Sequence, residues 1–369
     1  MFWFLYFVIY WLFYKFSGAH YKPTDDSKYD PRIERQNSIW YRMIRRLENW
    51  MLANNTRLIN SPVPNIIPLP EIDASKITPE LFNFLTQNRT RPLVMRGFFN
   101  ESQAVRKWSM EYFMNEPFRN TVLKTLRSMD GEMAYTDFNK KLGVGDLTLG
   151  SALEAMQSGD DSLYINNITK LFSEHPELVD DLDLDRIERM LGIPINEQTW
   201  LKLNIFMGLK NTRSSLHCAA GGNVFCLVEG GKKEWTFISP EYAPYLRTTP
   251  AKDFSFVISG YDMVAGDSVL DKIPRYRCVL EKGDALYNPA WWLHDVSNTD
   301  GFTIGVAIRD HTAYTQCFTN SSIFTWMSSY WWRLNPLFLG LVRNVIGVEK
   351  MREKSLKSDK HVVEAMTKS

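Results

Sequence analysis

From residue 200 onward, apolar residues come in short runs with turn residues between them. The runs 201–207, 224–228, 234–238, 268–270, 277–280, 285–287 and 302–308 are punctuated by Gly, Pro and Asp. Many short strands so spaced predict an antiparallel sandwich or barrel. Upstream the pattern changes. Thr78-Pro79-Glu80 reads as a helix start, Thr at the N-cap and Pro at the first position, with Leu81, Phe84 and Leu85 as the apolar face. Residues 92–97 read as a short strand ending on Gly97. Helical periodicity is expected over 103–127 and again over 171–191, so a helical half precedes and caps the β-rich half.

The ends differ from this body. Residues 1–14 (MFWFLYFVIYWLFY) carry no charge, and Lys15 is the first ionic residue. Fourteen helical residues span about 21 Å, short of a bilayer core of roughly 30 Å. Residues 16–19 nearly close the gap if Lys15 snorkels. A signal peptide cut after Ser17-Gly18-Ala19 and an uncleaved single-pass membrane anchor both fit. The missing positive n-region favours the anchor. Sidedness stays open: Lys15, Lys22, Lys28, Arg32 and Arg35 favour a cytoplasmic body, whereas sequons at Asn54, Asn88, Asn100, Asn167 and Asn320 favour an endomembrane lumen. A basic stretch, helical over about 32–54, leads into the Pro-rich linker Ser61-Pro62-Val63-Pro64-Asn65. Residues 323–348 are apolar but broken by Arg333, Pro336 and Arg343. They read either as helices packing on the domain or on a second copy in a homodimer, or as a segment at a membrane interface. The expected divisions are 1–19, 20–65, 66–312 and 313–369.

Composition narrows the function classes. The 369 residues are 44% hydrophobic and 23% charged, with a net charge of +1. That balance carries no footprint for nucleic acid. The cysteines, Cys218, Cys226, Cys278 and Cys317, form no CxxC pair, and their default reading is as small buried hydrophobes. There is no hydrolase triad or phosphate loop.

Chemistry concentrates around two of the six histidines. His217 follows Asn211-Thr212-Arg213-Ser214-Ser215-Leu216. His294 ends the stretch Gly283-Asp284-Ala285-Leu286-Tyr287-Asn288-Pro289-Ala290-Trp291-Trp292-Leu293. Either alone reads as a structural histidine. Together with their neighbours they resemble the two metal-ligand motifs of the JmjC and cupin-like hydroxylases, closest to the asparaginyl-hydroxylase-like branch. His217, Asn223, Gly230, Lys232, Trp235 and Pro240 stand in register with the first motif. The second is Gly-Asp-x-Leu-Tyr-x-Pro-x-x-Trp-x-His. The resemblance covers roughly residues 66–310.

It implies a mainly β fold with a helical N-terminal half, the barrel being a double-stranded β-helix (jelly roll). It also implies Fe(II) on His217 and His294, and 2-oxoglutarate as co-substrate. Lys232 would pair the far carboxylate, with Tyr164 and Ser214 as hydroxyl donors and Asn223 beside them. A protein or small molecule would be the substrate. Two imidazoles and one carboxylate hold one face of such an iron, and here the chain departs from the pattern: the carboxylate position is Ala219, in His217-Cys218-Ala219-Ala220-Gly221-Gly222. Strand alternation turns Cys218 and Asp295 away from their neighbouring histidines. Three outcomes stay open. Iron binds through two His plus co-substrate with water or an anion in the vacancy, as in some iron halogenases of the superfamily. Another side chain substitutes. Or metal binding is lost, and a membrane-tethered binding module remains.

Overall fold

The computed structural model describes residues 66–309 with breaks at 129–134, 137–141, 194–202, 220, 247, 251–255, 262 and 264–269, and six helical positions between 42 and 53. The expected anchor (1–19), the Pro-rich linker and the C-terminal segment (313–369) lie outside the described residues. No described helix is long and apolar enough to cross a membrane.

Eight strands form the centre: β1 (Leu203–Gly208), β2 (Arg213–Ala219), β3 (Asn223–Glu229), β4 (Lys232–Ile238), β5 (Arg275–Glu281), β6 (Ala285–Asn288), β7 (Leu293–Asp300) and β8 (Thr303–Arg309). They alternate between two sheets, except that β4 and β5 share one. One runs β5-β4-β7-β2, extended by Ile66–Pro68 at one edge and Phe256–Ile258 at the other. The second runs β6-β3-β8-β1, flanked by Leu93–Arg96 and by Leu163–Ile168. This interleaving is the double-stranded β-helix, and the mainly β architecture is as expected. Six of the seven runs fall on these strands. The seventh, 268–270, ends instead in a short 3-10 turn, Leu270–Lys272.

The second sheet is buried on both faces, which explains its nearly continuous apolar runs. Alternation decides which side chain meets which layer. On β3, Val224, Cys226 and Val228 join the helical layer, while Phe225 and Leu227 point into the barrel. On β8, Ile304, Val306 and Ile308 face the helices and Ala307 faces inward.

The helical half differs in detail from the sequence pattern. Helix α1 (Pro79–Leu85) starts where expected, with Thr78 Oγ1 accepting from Leu81 N–H at 3.2 Å. Its buried residue, however, is Phe82, while Phe84 is 77% exposed. Phe82 packs edge-on against Tyr287 at 5.1 Å, and burying such a ring stabilises by roughly 1.5–3 kcal/mol. The periodicity over 103–127 ends early. After Gln103–Lys107 and Met110–Phe113, residues Val122–Ser128 form a strand between Leu142–Thr148 and Leu163–Ile168. Val122 and Lys124 are exposed while Leu123 and Thr125 are buried, the period-2 alternation of a half-buried strand. Residues 171–191 are three short helices rather than one, parted at Pro176 and at Asp183, whose φ is 49°.

Candidate active site

The two histidines meet across adjacent strands. His217 on β2 is the register partner of His294 on β7, and their ring centroids lie 4.3 Å apart. The pairing is irregular: His217 opposes His294, but Ser214 opposes Val296. Three steps on β2 therefore match two on β7. Such a bulge re-aims side chains, and here it turns Ser214 and His217 to the same cavity despite their odd spacing.

Each imidazole is oriented by its own strand. His217 Nδ1 lies 2.6 Å from the carbonyl of Ser215, and His294 Nδ1 lies 2.9 Å from that of Trp292. Nδ1–H donating to a carbonyl sets the tautomer and puts the lone pair on Nε2, the arrangement metal-binding histidines use. Burial pushes the His217 pKa down to about 4, and the charge of Arg309 adds to the shift. Burial, with His217 and Arg309 adding, holds His294 well below its ordinary range. Both are thus neutral at pH 7, the form that ligates metal.

The strand bearing His294 enters through a tight turn. Trp291 has φ 68°, and its N–H donates to the carbonyl of Ala219 at 2.9 Å. Trp292 Nε1 donates to the Thr90 carbonyl at 2.7 Å. Asp284 of the same motif is structural: it accepts from Arg96 at 2.5 Å, from Gly97 N–H at 2.9 Å and from Glu281 N–H at 3.0 Å. Gly283 suits its place because its φ of +87° is one that side-chain-bearing residues rarely adopt, and a Cβ there would also displace the Asn100 amide.

A cavity of about 160 Å³ opens beside the histidines. Tyr164, Ser214, Asn223, His217, His294 and Ala219 all line it, as the sequence motifs led one to expect. Tyr164 and Ser214 share a hydrogen bond, and burial raises the Tyr164 phenol to about 12.

Lys232 does not line the cavity. Its side chain is 54% exposed, 3.8 Å from Glu281 on the outer face of the sheet. Its neighbour Lys233 is the interior lysine, 3% exposed, with Nζ donating to Asn298 Oδ1 at 2.6 Å and 5.7 Å above the Phe225 ring. Alternation explains the correction: Lys233, Trp235 and Phe237 share the inward face of β4, and a slip of one residue swaps faces. That parity with Trp235 and Phe237 was legible in the Lys-Lys-Glu-Trp-Thr-Phe run. Burial brings the Lys233 pKa down to about 7.

Sequence reasoning also missed Arg309, Asn288 and Asn167. Arg309 follows the apolar run of β8 with the parity of inward-facing Ala307. Its Nε donates to Asn204 Oδ1 at 3.0 Å and its Nη2 to Asn167 Oδ1 at 2.9 Å. Asn167 has φ 60°, a left-handed conformation that Asn tolerates. Asn223 Oδ1, Asn288 Oδ1 and Trp235 Nε1 are buried at the cavity without a hydrogen-bond partner among the described residues. Buried polar atoms of this kind are uncommon and point to a ligand.

The residues present fit the co-substrate better than the metal. Lys233, Tyr164 and Ser214 supply a cation and hydroxyls for a carboxylate. For iron, His217 and His294 supply two imidazoles, and the third position of the facial triad is the methyl of Ala219. No group of three His, Cys, Asp or Glu suited to a metal occurs among the described residues. Asp295 does not substitute, since it accepts from Arg213 Nε at 2.9 Å on the opposite face. Cys218 is fully buried away from the cavity, its thiol pushed up by burial.

The family model for the cupin-like domain matches residues 79–334, past the boundary expected at 312. The chain is similar to the human bifunctional peptidase and (3S)-lysyl hydroxylase JMJD7, 24% identical over 57% of this chain and 74% of that one. It is similar to the JmjC domain-containing protein A of Dictyostelium discoideum, 21% identical over 62% of this chain and 90% of that one. The mouse tRNA wybutosine-synthesizing protein 5 is 32% identical, but over only 27% of this chain and 31% of its own length.

Proposed function

This chain belongs to the cupin-like domain family, and from that premise we propose that it is an iron- and 2-oxoglutarate-dependent oxygenase-like protein with a two-histidine metal site. The observation that carries the reading is the pair of oriented imidazoles sharing one cavity with a buried lysine. His217 and His294 would hold Fe(II) through Nε2. Lys233, with Tyr164 and Ser214, would take the far carboxylate of 2-oxoglutarate. Bound iron, with the co-substrate and dioxygen, supplies oxidation of a C–H bond.

The protein's own part is to keep both imidazoles neutral, fix their tautomers and exclude water behind Trp235 and Phe225. Ala219 leaves a ligand position to water or a small anion. Where hydroxylases have a carboxylate there, water would fill the position in a hydroxylase of this chain, and halide in a halogenase.

Anaerobic addition of Fe(II) and 2-oxoglutarate should produce the visible charge-transfer band of the chelate. Aerobic incubation should then convert 2-oxoglutarate to succinate. A chloride or bromide requirement identifies the halogenase branch. Absence of both band and turnover sinks the oxygenase reading.

Ala219 favours a second reading, a binding module that has lost metal chemistry. Losing a direct ligand should cost more than the roughly 10–100-fold typical of residues that merely orient ligands. If Ala219→Asp binds Fe(II) tightly where the unaltered protein binds none, that second reading holds.

A further inference from the structure

Two cations face the same cavity, and neither has an acid. Lys233 is held by the Asn298 amide, and Arg309 by the amides of Asn204 and Asn167. No Asp or Glu lines the cavity among the described residues. Charge removed from water without an opposite charge is costly, and a lysine with only an amide and a ring beside it gains too little to offset that cost.

The two cations lie at opposite ends. Lys233 stands four positions along β4 from Phe237, the register partner of His294, which is about 14 Å of strand. Arg309 instead occupies the row Asn288–Asn223–Arg309 across β6, β3 and β8, and its charge acts on both imidazoles. In that row, Asn223 and Asn288 each carry a buried, unpartnered amide oxygen. Rotating either amide would present NH₂ donors to an anion instead.

We propose that this cavity binds a small dicarboxylate without a metal ion, one carboxylate on Lys233 and the other on Arg309. The inference shares the Lys233 end with the oxygenase reading and rests on it there. It assigns the histidine end to Arg309, where that reading relies on iron. The volume of about 160 Å³ suits a short-chain acid, being below the roughly 300 Å³ where drug-sized pockets begin.

Calorimetry on the full chain, stripped of metal over a chelating resin, tests this with glutarate, 2-oxoglutarate and butyrate. Glutarate lacks the 2-oxo group needed to chelate iron, and butyrate lacks the second carboxylate. Glutarate and 2-oxoglutarate should bind within about 10-fold of each other, and butyrate about 100-fold more weakly, as expected for losing a charge-assisted contact. Arg309→Gln and Lys233→Met should each weaken glutarate about 10–100-fold, and Arg309→Lys less. No glutarate binding, butyrate binding equal to glutarate, or unchanged binding by a variant that melts normally would overturn the proposal. If Arg309→Gln does not fold, the glutarate-to-butyrate ratio of the unaltered protein decides.

Repeating the titrations with Fe(II) separates the two readings. Tightening of 2-oxoglutarate by iron, with glutarate silent throughout, keeps the oxygenase reading and removes this one. Glutarate binding on which iron has no effect, with no visible band, does the reverse.

Discussion

Charge lies on both the outer face of the β5-β4-β7-β2 sheet and the interior of the barrel, and the two places treat it differently. On the outer face every cation named here has a carboxylate. Arg213 pairs with Asp295, Arg277 with Glu234, Arg275 with Asp271 at 3.6 Å and Lys232 with Glu281 at 3.8 Å. Across the barrel interior, Lys233 and Arg309 have only neutral amides as hydrogen-bond partners among the described residues. Each of these outer cations has an acid within the fold, whereas the two inside have none among the described residues.

The largest expected effect breaks the outer arrangement. Asp295→Ala removes the carboxylate that pairs with the buried Arg213, whose side-chain exposure is 9%. Loss of one partner of a buried pair should cost about 3–5 kcal/mol, read as a drop in chemical-denaturation midpoint. The inner face should respond in the opposite sense. Lys233→Met removes a buried charge without an acid, so the unliganded protein should unfold at a higher temperature even as it loses about 10–100-fold in 2-oxoglutarate affinity, or roughly 1.4–2.7 kcal/mol. A lower melting temperature for this variant would show that the Asn298 contact outweighs the burial cost.

The same lysine predicts a pH dependence. Its folded pKa is depressed to about 7, below the unfolded value near 10.4. Between those values the unfolded chain holds the proton and the folded chain does not, so stability rises with pH across that window. The penalty is fully present below pH 7. A bound carboxylate favours the charged lysine, so affinity should fall as pH rises above about 7. Lys233→Met should flatten both profiles, measured by melting and by titration at pH 6.5 and 8.5. The smallest effect belongs to Lys232→Met, on the exposed outer face. Stability should change by less than about 0.5 kcal/mol and binding not at all. If Lys232→Met, rather than Lys233→Met, removes 2-oxoglutarate binding, the inner and outer assignments are reversed.

Much of the site was legible before any coordinates. The β-rich second half follows from run lengths, and both histidines, Tyr164, Ser214, Asn223 and the missing carboxylate at Ala219 follow from the resemblance to the JmjC and cupin-like family, because runs and motifs are local in the chain. The helix over 103–127 and the apolar face of α1 were misread. There, local periodicity competes with sheet pairing and with a ring contact to Tyr287, more than 200 positions away.

The sequence by itself determined a β-rich barrel behind a helical half and, through its resemblance to the JmjC and cupin-like family, a pair of histidine motifs with Ala219 where the acid usually stands. It also carried the parity that turns Lys233 inward with Trp235 and Phe237, but a single step of register exchanges the faces of a strand, and only the pairing fixed that step. The sequence did not show that Arg309 arrives from the opposite sheet to face the histidines. That meeting is set by the pairing of β3 with β6 and β8 and by the bulge on β2. Strand pairing joins residues distant in the chain, so only the tertiary structure could decide that the cavity holds two cations and, among the described residues, no carboxylate.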